Sequence, residues 1–425
     1  MARNTSSVTL VGGLDIGNGY VKGMIENRDT KAVDTIDIPS GVSLMLEENK
    51  LPIDDADALG VVSGDGDYAI FNQLDASITS PLVRRDHRRL FGKRGLSAPG
   101  EFEQFDVMSH LSKAEQELSK ILVLGLFAAK AAKDVVIANN GVVPNEPINA
   151  TIVAVLALPI TEFADHRLSY AKAFTQNQHS VTIRLFETPI VVNLRFAGID
   201  VMPEGASAQF AITNKGEPLA AAMLADVRRH TSGYEEITPS DVVAATNTVG
   251  VDIGEGTVNF PIYTDMRFNR DSSTSLDKGY GSALTQALQD MKNASDPSGL
   301  KSRKQLADFL QKKPSNLKRK PYDRVKRYVD RQAEFFCEEV TREFGRVMSA
   351  GGVGAMTEAV FVYGGGAGAI KDILYPMLVA KAKEINGDDA PVVLYLDPQY
   401  SRNLNREGLF IAANKLAPTF LKNVK

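Results

Sequence analysis

Two aspartates 237 positions apart stand in near-identical surroundings: Asp15 in "LDIGNGYVK" (14–22) and Asp252 in "VDIGEGTVN" (251–259). Each follows apolar residues, is separated from a glycine by one residue and leads into a short polar turn. Glycines at a strand end let backbone N–H groups approach a polyanion that side chains would hold off. Gly17 and Gly19 on one side, and Gly254 and Gly256 on the other, are therefore candidate phosphate cradles. The carboxylates have a complementary use, because Mg2+ keeps several waters and is held by one or two carboxylates together with phosphate oxygens. Lys22, seven residues after Asp15, adds a point charge on the returning chain. Taken singly, Asn18-Gly19 reads equally as an ordinary tight hairpin turn. The second copy, in a matching strand context, is what favours phosphate.

A third piece is "VYGGGAG" (362–368), where Gly364, Gly365 and Gly366 expose a helix N-terminus and let a flat ligand lie against the backbone. The stretch also satisfies G-x-G-x-x-A from Gly364 to Ala369. In that dinucleotide signature an acidic residue follows after about 20 positions, whereas Asp397 lies 33 positions past Gly364. The paired aspartate turns would also go unexplained. A purely structural glycine turn remains the bland alternative. The five histidines (87, 110, 166, 179 and 230) show no ligand spacing, and the single Cys337 has no partner set, so the sequence offers no protein-built zinc site. No Walker A loop or Gly-x-Ser-x-Gly elbow is present.

Such groups need two strand–turn–strand units to carry them. "VTLVGGLDIG" and "NGYVKGMIE" read as strands joined at Asn18-Gly19. From about 38 to 110 the pattern breaks into short pieces, as in a small inserted subdomain. Residues 111–133 place Leu111, Leu118, Ile121, Leu122 and Phe127 at helical intervals, predicting an amphipathic helix. A buried strand, "ATIVAVLALP", a helix over 161–176 and a β-rich stretch ending at "PEG" (203–205) follow. "TVGVDIGEGTVNFPIY" (248–263) restarts the opening pattern, an internal repeat at domain scale. Between about 275 and 350 lies a helical, basic insertion, in which residues 301–331 hold twelve Lys or Arg against three Asp. The helix through "RQAEFFCEEVTREFGRVM" stops at Gly351-Gly352, before the strand that leads into the glycine turn.

With 425 residues, 44% apolar and 24% charged, the chain is long enough for two or more domains with substantial cores. A net charge of -4 gives no overall pull toward nucleic acid or anionic membrane. A lone cysteine permits no internal disulfide and fits a reducing interior. No apolar run approaches the roughly 20 residues of a membrane span, and "MARNTSS" lacks both a signal peptide's apolar region and an amphipathic anchor. The expected location is cytoplasmic.

"DIGNGYVK", "DIGEGTV" and "VYGGGAG", in that order, resemble the first phosphate, second phosphate and adenosine motifs of the actin superfamily of ATPases. Within it the chain is most similar to the ParM-like bacterial actins that segregate plasmids. The inserted region after the first hairpin, "VMPEGASA" ahead of the second phosphate turn, and "NREGLFIAA" (405–413), which resembles the closing helix, carry that likeness. The resemblance implies an α/β actin-like fold of two ribonuclease-H-like halves, each with an inserted subdomain, and the nucleotide in the cleft between them. The first half is expected over 1–247, with its insertion at about 38–110, completed by about 400–425. The second is expected over 248–399, with its helical insertion at about 275–350.

The same resemblance implies that Asp15, Gly17, Asn18, Gly19 and Lys22 face Asp252, Gly254, Gly256 and Thr257 across the phosphates of ATP or ADP, GTP being possible. Mg2+ would sit at Asp15 and Asp252, and the adenosine at Gly364, Gly365 and Gly366. Pro203-Glu204 matches the step that supplies a water-orienting glutamate in ParM-like proteins; a helix-start glutamate is the alternative. The implied activity is ATP hydrolysis coupled to head-to-tail self-assembly. The filament would move plasmid DNA through a DNA-binding adaptor of ParR type, with no direct sequence-specific DNA binding and no membrane partner. The competing reading is a sugar-type kinase of the same superfamily, which would need an aspartate base that cannot be placed. The basic segments 84–94 and 301–331 fit acidic surfaces of a neighbouring protomer better than DNA.

Overall fold

The computed structural model describes residues 7–45, 55–106, 109–312 and 314–422. Most of the polar start, and part of the segment read as the first insertion, lie outside them. The chain divides into two compact units, residues 1–211 with 405–425, and residues 212–404.

The first unit carries a ten-stranded sheet among the described residues, in the order β3-β2-β1-β8-β10-β9-β5-β6-β4-β7. Its opening hairpin is β1 (Ser7–Ile16) and β2 (Tyr20–Asn27), continued by β3 (Val33–Pro39). On its other side β1 runs parallel to β8 (Ile148–Leu158), and β8 parallel to β10 (Ile190–Pro203). The carboxyl ends of these three strands therefore share one edge. β9 (His179–Ile183) links them to the short strands β4 (Gly41–Leu44), β5 (Asp75–Thr79), β6 (Arg88–Phe91) and β7 (Phe102–Gln104). One face of the sheet is covered by the helix Leu404–Leu421, with Leu409, Ala413 and Ala417 against Val11, Val153 and Val155.

The opposite face receives the helix Glu117–Ala138. It begins six residues later than the periodicity predicts. Ser112 to Gln116 form a turn instead, in which Ser112 N–H donates to Glu115 Oε2 at 2.9 Å and Gln116 N–H to the Ser112 carbonyl at 3.0 Å. The helix is buried almost all round, not on one face, and Lys120 and Lys130 are buried with it, with Lys133 partly so. The fully buried Lys130 donates to Asp34 at 2.7 Å and Asp134 at 2.8 Å, and Lys133 donates to Asp34 at 2.6 Å. Asp34 is on β3, so this ion network ties the opening hairpin's sheet edge to the helix. Burial would push the Asp34 carboxyl up, but the two ammonium groups together hold it below the usual range.

The second unit carries a seven-stranded sheet among its described residues. β11 (Thr248–Ile253) pairs antiparallel with β12 (Val258–Phe260) and β13 (Ile262–Thr264), which are edged by β14 (Arg267–Phe268) and β15 (Thr274–Leu276). On its other side β11 is parallel to β16 (Ala359–Tyr363), and β16 to β17 (Val392–Tyr395). Helices Tyr280–Asn293, Arg303–Gln311 and Arg319–Ser349 form the basic insertion, around a core that includes Leu284, Met291, Leu306 and Val325. The stretch 206–247 holds the helix Ala208–Val227, broken at Gly216 where φ is 59° and ψ is −148°. A short helix, Pro239–Ala244, follows with a reciprocal Thr238–Asp241 capping box.

Candidate functional site

The two aspartate hairpins have one register. In the first, Asp15 is opposite Lys22 and Ile16 opposite Val21; in the second, Asp252 is opposite Asn259 and Ile253 opposite Val258. The glycine after each aspartate is there for the same steric reason. A Cβ on Gly17 would lie 2.7 Å from the Tyr20 carbonyl oxygen, and one on Gly254 2.9 Å from that of Thr257. No side chain fits inside either turn.

Each turn is also pinned by its carbonyls. Ser40, buried just beyond β3, donates its Oγ–H to the Gly17 carbonyl at 2.5 Å and its N–H to the Gly19 carbonyl at 3.0 Å. In the second turn, the Gly254 and Glu255 carbonyls accept from the N–H groups of Tyr280 and Gly281, at 3.0 and 2.9 Å, in the first turn of helix Tyr280–Asn293. In a trans peptide the C=O and the following N–H point opposite ways, and the described residues contain no cis bond. Fixing the Gly17 and Gly254 carbonyls therefore aims the N–H groups of Asn18 and Glu255 away from their supports. Amides held in this orientation suit an anion.

In the second unit the glycine turn joins the hairpin. β11 and β16 pair Asp252 with Tyr363, which sets the next residue, Gly364, against the aspartate. Gly364 has φ +104°, and a Cβ there would lie 2.5 Å from Asp252 Oδ1. Gly366 N–H donates to the Ile253 carbonyl at 2.9 Å, and Ser401 Oγ–H to the Gly364 carbonyl at 3.3 Å. Gly366 caps the helix Ala367–Asn386. Asp252 is buried, and burial first, then the Asp252 carboxylate, raise the Tyr363 phenol well above its ordinary value. Asp252, Gly254, Gly364 and Gly366 thus form one cluster, with Gly256 and Thr257 on the returning side of the hairpin.

In the first unit Asp15 is the penultimate residue of β1 and Glu204 follows β10, on the shared carboxyl edge of parallel strands, the edge where open α/β sheets place ligands. Glu204 N–H donates to the Leu158 carbonyl at 2.7 Å, and its carboxylate is ion-paired with the buried Lys113. The Lys113 ammonium also lies 5.8 Å from the Phe105 ring centre. Lys22 is half-buried on β2.

Lys113, Ser40 and the pair Gly279-Gly281 escaped sequence reasoning. "KGYGS" carried a usable signal in its two glycines at a helix start. A Cβ on Gly279 would come within 2.3 Å of Glu255 and one on Gly281 within 2.7 Å of the Glu255 carbonyl oxygen. Lys113 carried none, being a lone lysine 91 positions from its partner. No cluster of three or more His, Cys, Asp or Glu able to hold a metal by itself occurs among the described residues. A cation here would have to share its shell with phosphate oxygens.

Compared with solved structures, the chain has the fold of actin homologues. It is similar to the actin-like protein Alp7A, with a TM-score of 0.61 and 14% identity over 98% of this chain and 99% of that one. It is also similar to the ParM of a 15-stranded filament from Clostridium botulinum, with a TM-score of 0.57 and 16% identity over 96% and 99%. A third is Bacillus thuringiensis ParM with ATP, at 0.54 and 15% over 96% and 98%. The actin-like fold that the three motifs implied is therefore the fold of this chain. No protein-family model matches the sequence, and no curated protein does.

Proposed function

We propose that this chain is a filament-forming bacterial actin homologue that binds and hydrolyses Mg-ATP. One observation carries the reading: two hairpins with the same register, the same excluded Cβ and a matching pinned carbonyl stand 237 residues apart in an actin-like fold. Both turns then serve a single nucleotide. Gly17, Asn18, Gly19 and Lys22 hold phosphate from one unit, and Gly254, Gly256 and Thr257 from the other. The Gly364–Gly366 turn receives the adenosine, with GTP an admissible substitute. The excluded Cβ positions and the acidic donors fit a Mg2+-bound polyphosphate; Asp15 and Asp252 are the residues to hold the cation, which when bound supplies charge neutralisation at the phosphates.

Glu204 orders water by hydrogen bonding, and Lys113 fixes its carboxylate; phosphoryl transfer needs such positioning more than covalent help. ATP held by both units favours one arrangement of the protomer, and loss of the terminal phosphate weakens it by removing a shared ligand. Head-to-tail contacts between identical copies give open polymers. The resemblance to ParM-like actins extends the proposal to plasmid DNA moved in the cytoplasm through a ParR-type adaptor. No helix among the described residues is long and apolar enough to cross a membrane.

Light scattering and phosphate release after addition of Mg-ATP test the reading. A rise in scattering followed by phosphate release, with Glu204→Ala slowing release while its polymer persists, is the expected result. Sugar-dependent ADP release with no scattering would replace it with the kinase.

A further inference from the structure

The two basic segments differ in what their charges do. In 84–94, Arg88 makes two bonds of 2.7 Å to the fully buried Asp75, Arg94 lies 3.5 Å from the same carboxylate, and Lys93 pairs with Asp67 at 3.3 Å. Arg89 is buried and donates to the His87 and Arg85 carbonyls. Much of that run is spent on holding its own subdomain together. In 301–331, by contrast, Lys312, Lys318, Lys320, Arg327 and Arg331 are exposed and make no ion pair among the described residues. Leu317 sits in the turn before helix Arg319–Ser349 and is 95% exposed.

We infer that this tip of the helical insertion is a self-assembly contact, docking onto an acidic face of a second copy of this chain. The charge count supplies the partner. Residues 301–331 hold twelve of the chain's 48 Lys and Arg but three of its 52 Asp and Glu, so a chain of net charge -4 has a segment of +9 and a net charge of -13 elsewhere. A second copy thus offers complementary charge, which steers and registers association. The exposed leucine beside the cations separates a protein partner from DNA. An apolar anchor rimmed by charge is the anatomy of a protein interface, whereas phosphate binding has no use for it. Contact between two different surfaces of identical copies is head-to-tail and propagates. The inference rests on the reading of this chain as self-assembling.

The test compares wild type, the triple variant Lys320→Glu/Arg327→Glu/Arg331→Glu, and Leu317→Ala. Sedimentation across protein concentration with Mg-ATP measures assembly, a fluorescent ATP analogue measures nucleotide affinity, and circular dichroism checks the fold. Duplex DNA binding is followed in parallel by anisotropy. The triple variant is expected to raise the critical concentration about tenfold and Leu317→Ala about threefold, with nucleotide affinity and circular dichroism unchanged. Wild-type assembly should weaken with salt. If both variants assemble as wild type does, the contact is overturned and the filament reading stands. The contact is equally overturned if the triple variant loses only DNA binding. A wild-type chain that stays monomeric with Mg-ATP overturns both.

Discussion

The two aspartate hairpins share a backbone and differ in what surrounds it. Behind the first, a serine pins the turn, and an ion network of Lys130, Lys133, Asp34 and Asp134 fastens the neighbouring strand. Behind the second, a helix N-terminus pins the turn and the glycine turn closes on the aspartate. The position opposite the aspartate is Lys22 in one hairpin and the buried Asn259 in the other, where Asn259 Oδ1 accepts from Ser275 Oγ at 2.7 Å. The repeat thus preserves the parts that would hold an anion, the turn backbone and the carboxylate. The charge and the scaffold have diverged.

The largest effect is expected from breaking the scaffold of the first hairpin. Lys130→Met leaves Asp34 and Asp134 without their buried cation and should cost about 3–5 kcal/mol in a urea melt near neutral pH. Because Asp34 is held below its ordinary value, its stabilisation is present above the unfolded carboxyl's pKa of about 4 and is lost as pH falls through the folded value. The melts of wild type and variant should therefore converge in acid. Equal stability at neutral pH would show the network to be idle.

Next comes the glycine turn that only the second hairpin has against its aspartate. Gly364→Ala combines a positive φ with a Cβ 2.5 Å from Asp252 Oδ1. Strain of a few kcal/mol placed on that carboxylate should weaken binding of a fluorescent ATP analogue about 100-fold. Unchanged affinity would separate Asp252 from the nucleotide. The smallest expected effect is on the residue that distinguishes the two turns. Lys22→Asn, which makes the first hairpin like the second, should lower ATP affinity about tenfold. Adding Asn259→Lys should not restore it, because that position is buried and already bonded.

Local pattern made the hairpins legible: an apolar strand, an aspartate, a glycine and a returning strand need no knowledge of the rest of the chain. The strand–glycine–helix at 359–386 was legible for the same reason. Features built by distant residues were not. Arg88 and Arg94 look like members of a solvated basic run until the fold brings Asp75 between them. Glu204 carries a motif, whereas Lys113, which pairs with it, does not. The helix predicted from 111 starts at Glu117 because Ser112 and Glu115 satisfy one another locally, and its buried lysines are hidden from any periodicity that counts lysine as solvent-facing. The helix Ala208–Val227 has no clear periodicity in the sequence because Gly216 breaks it into two pieces.

On the proposed reading both hairpins serve one nucleotide. Titration calorimetry of Mg-ATP into wild type, Asp15→Asn, Asp252→Asn and the double variant tests it most directly. One nucleotide per chain is expected in the wild type, with affinity lost in either single variant and a double variant little worse than the singles, because the two carboxylates act on a shared ligand. Two nucleotides per chain, or single losses that add in full, would contradict it.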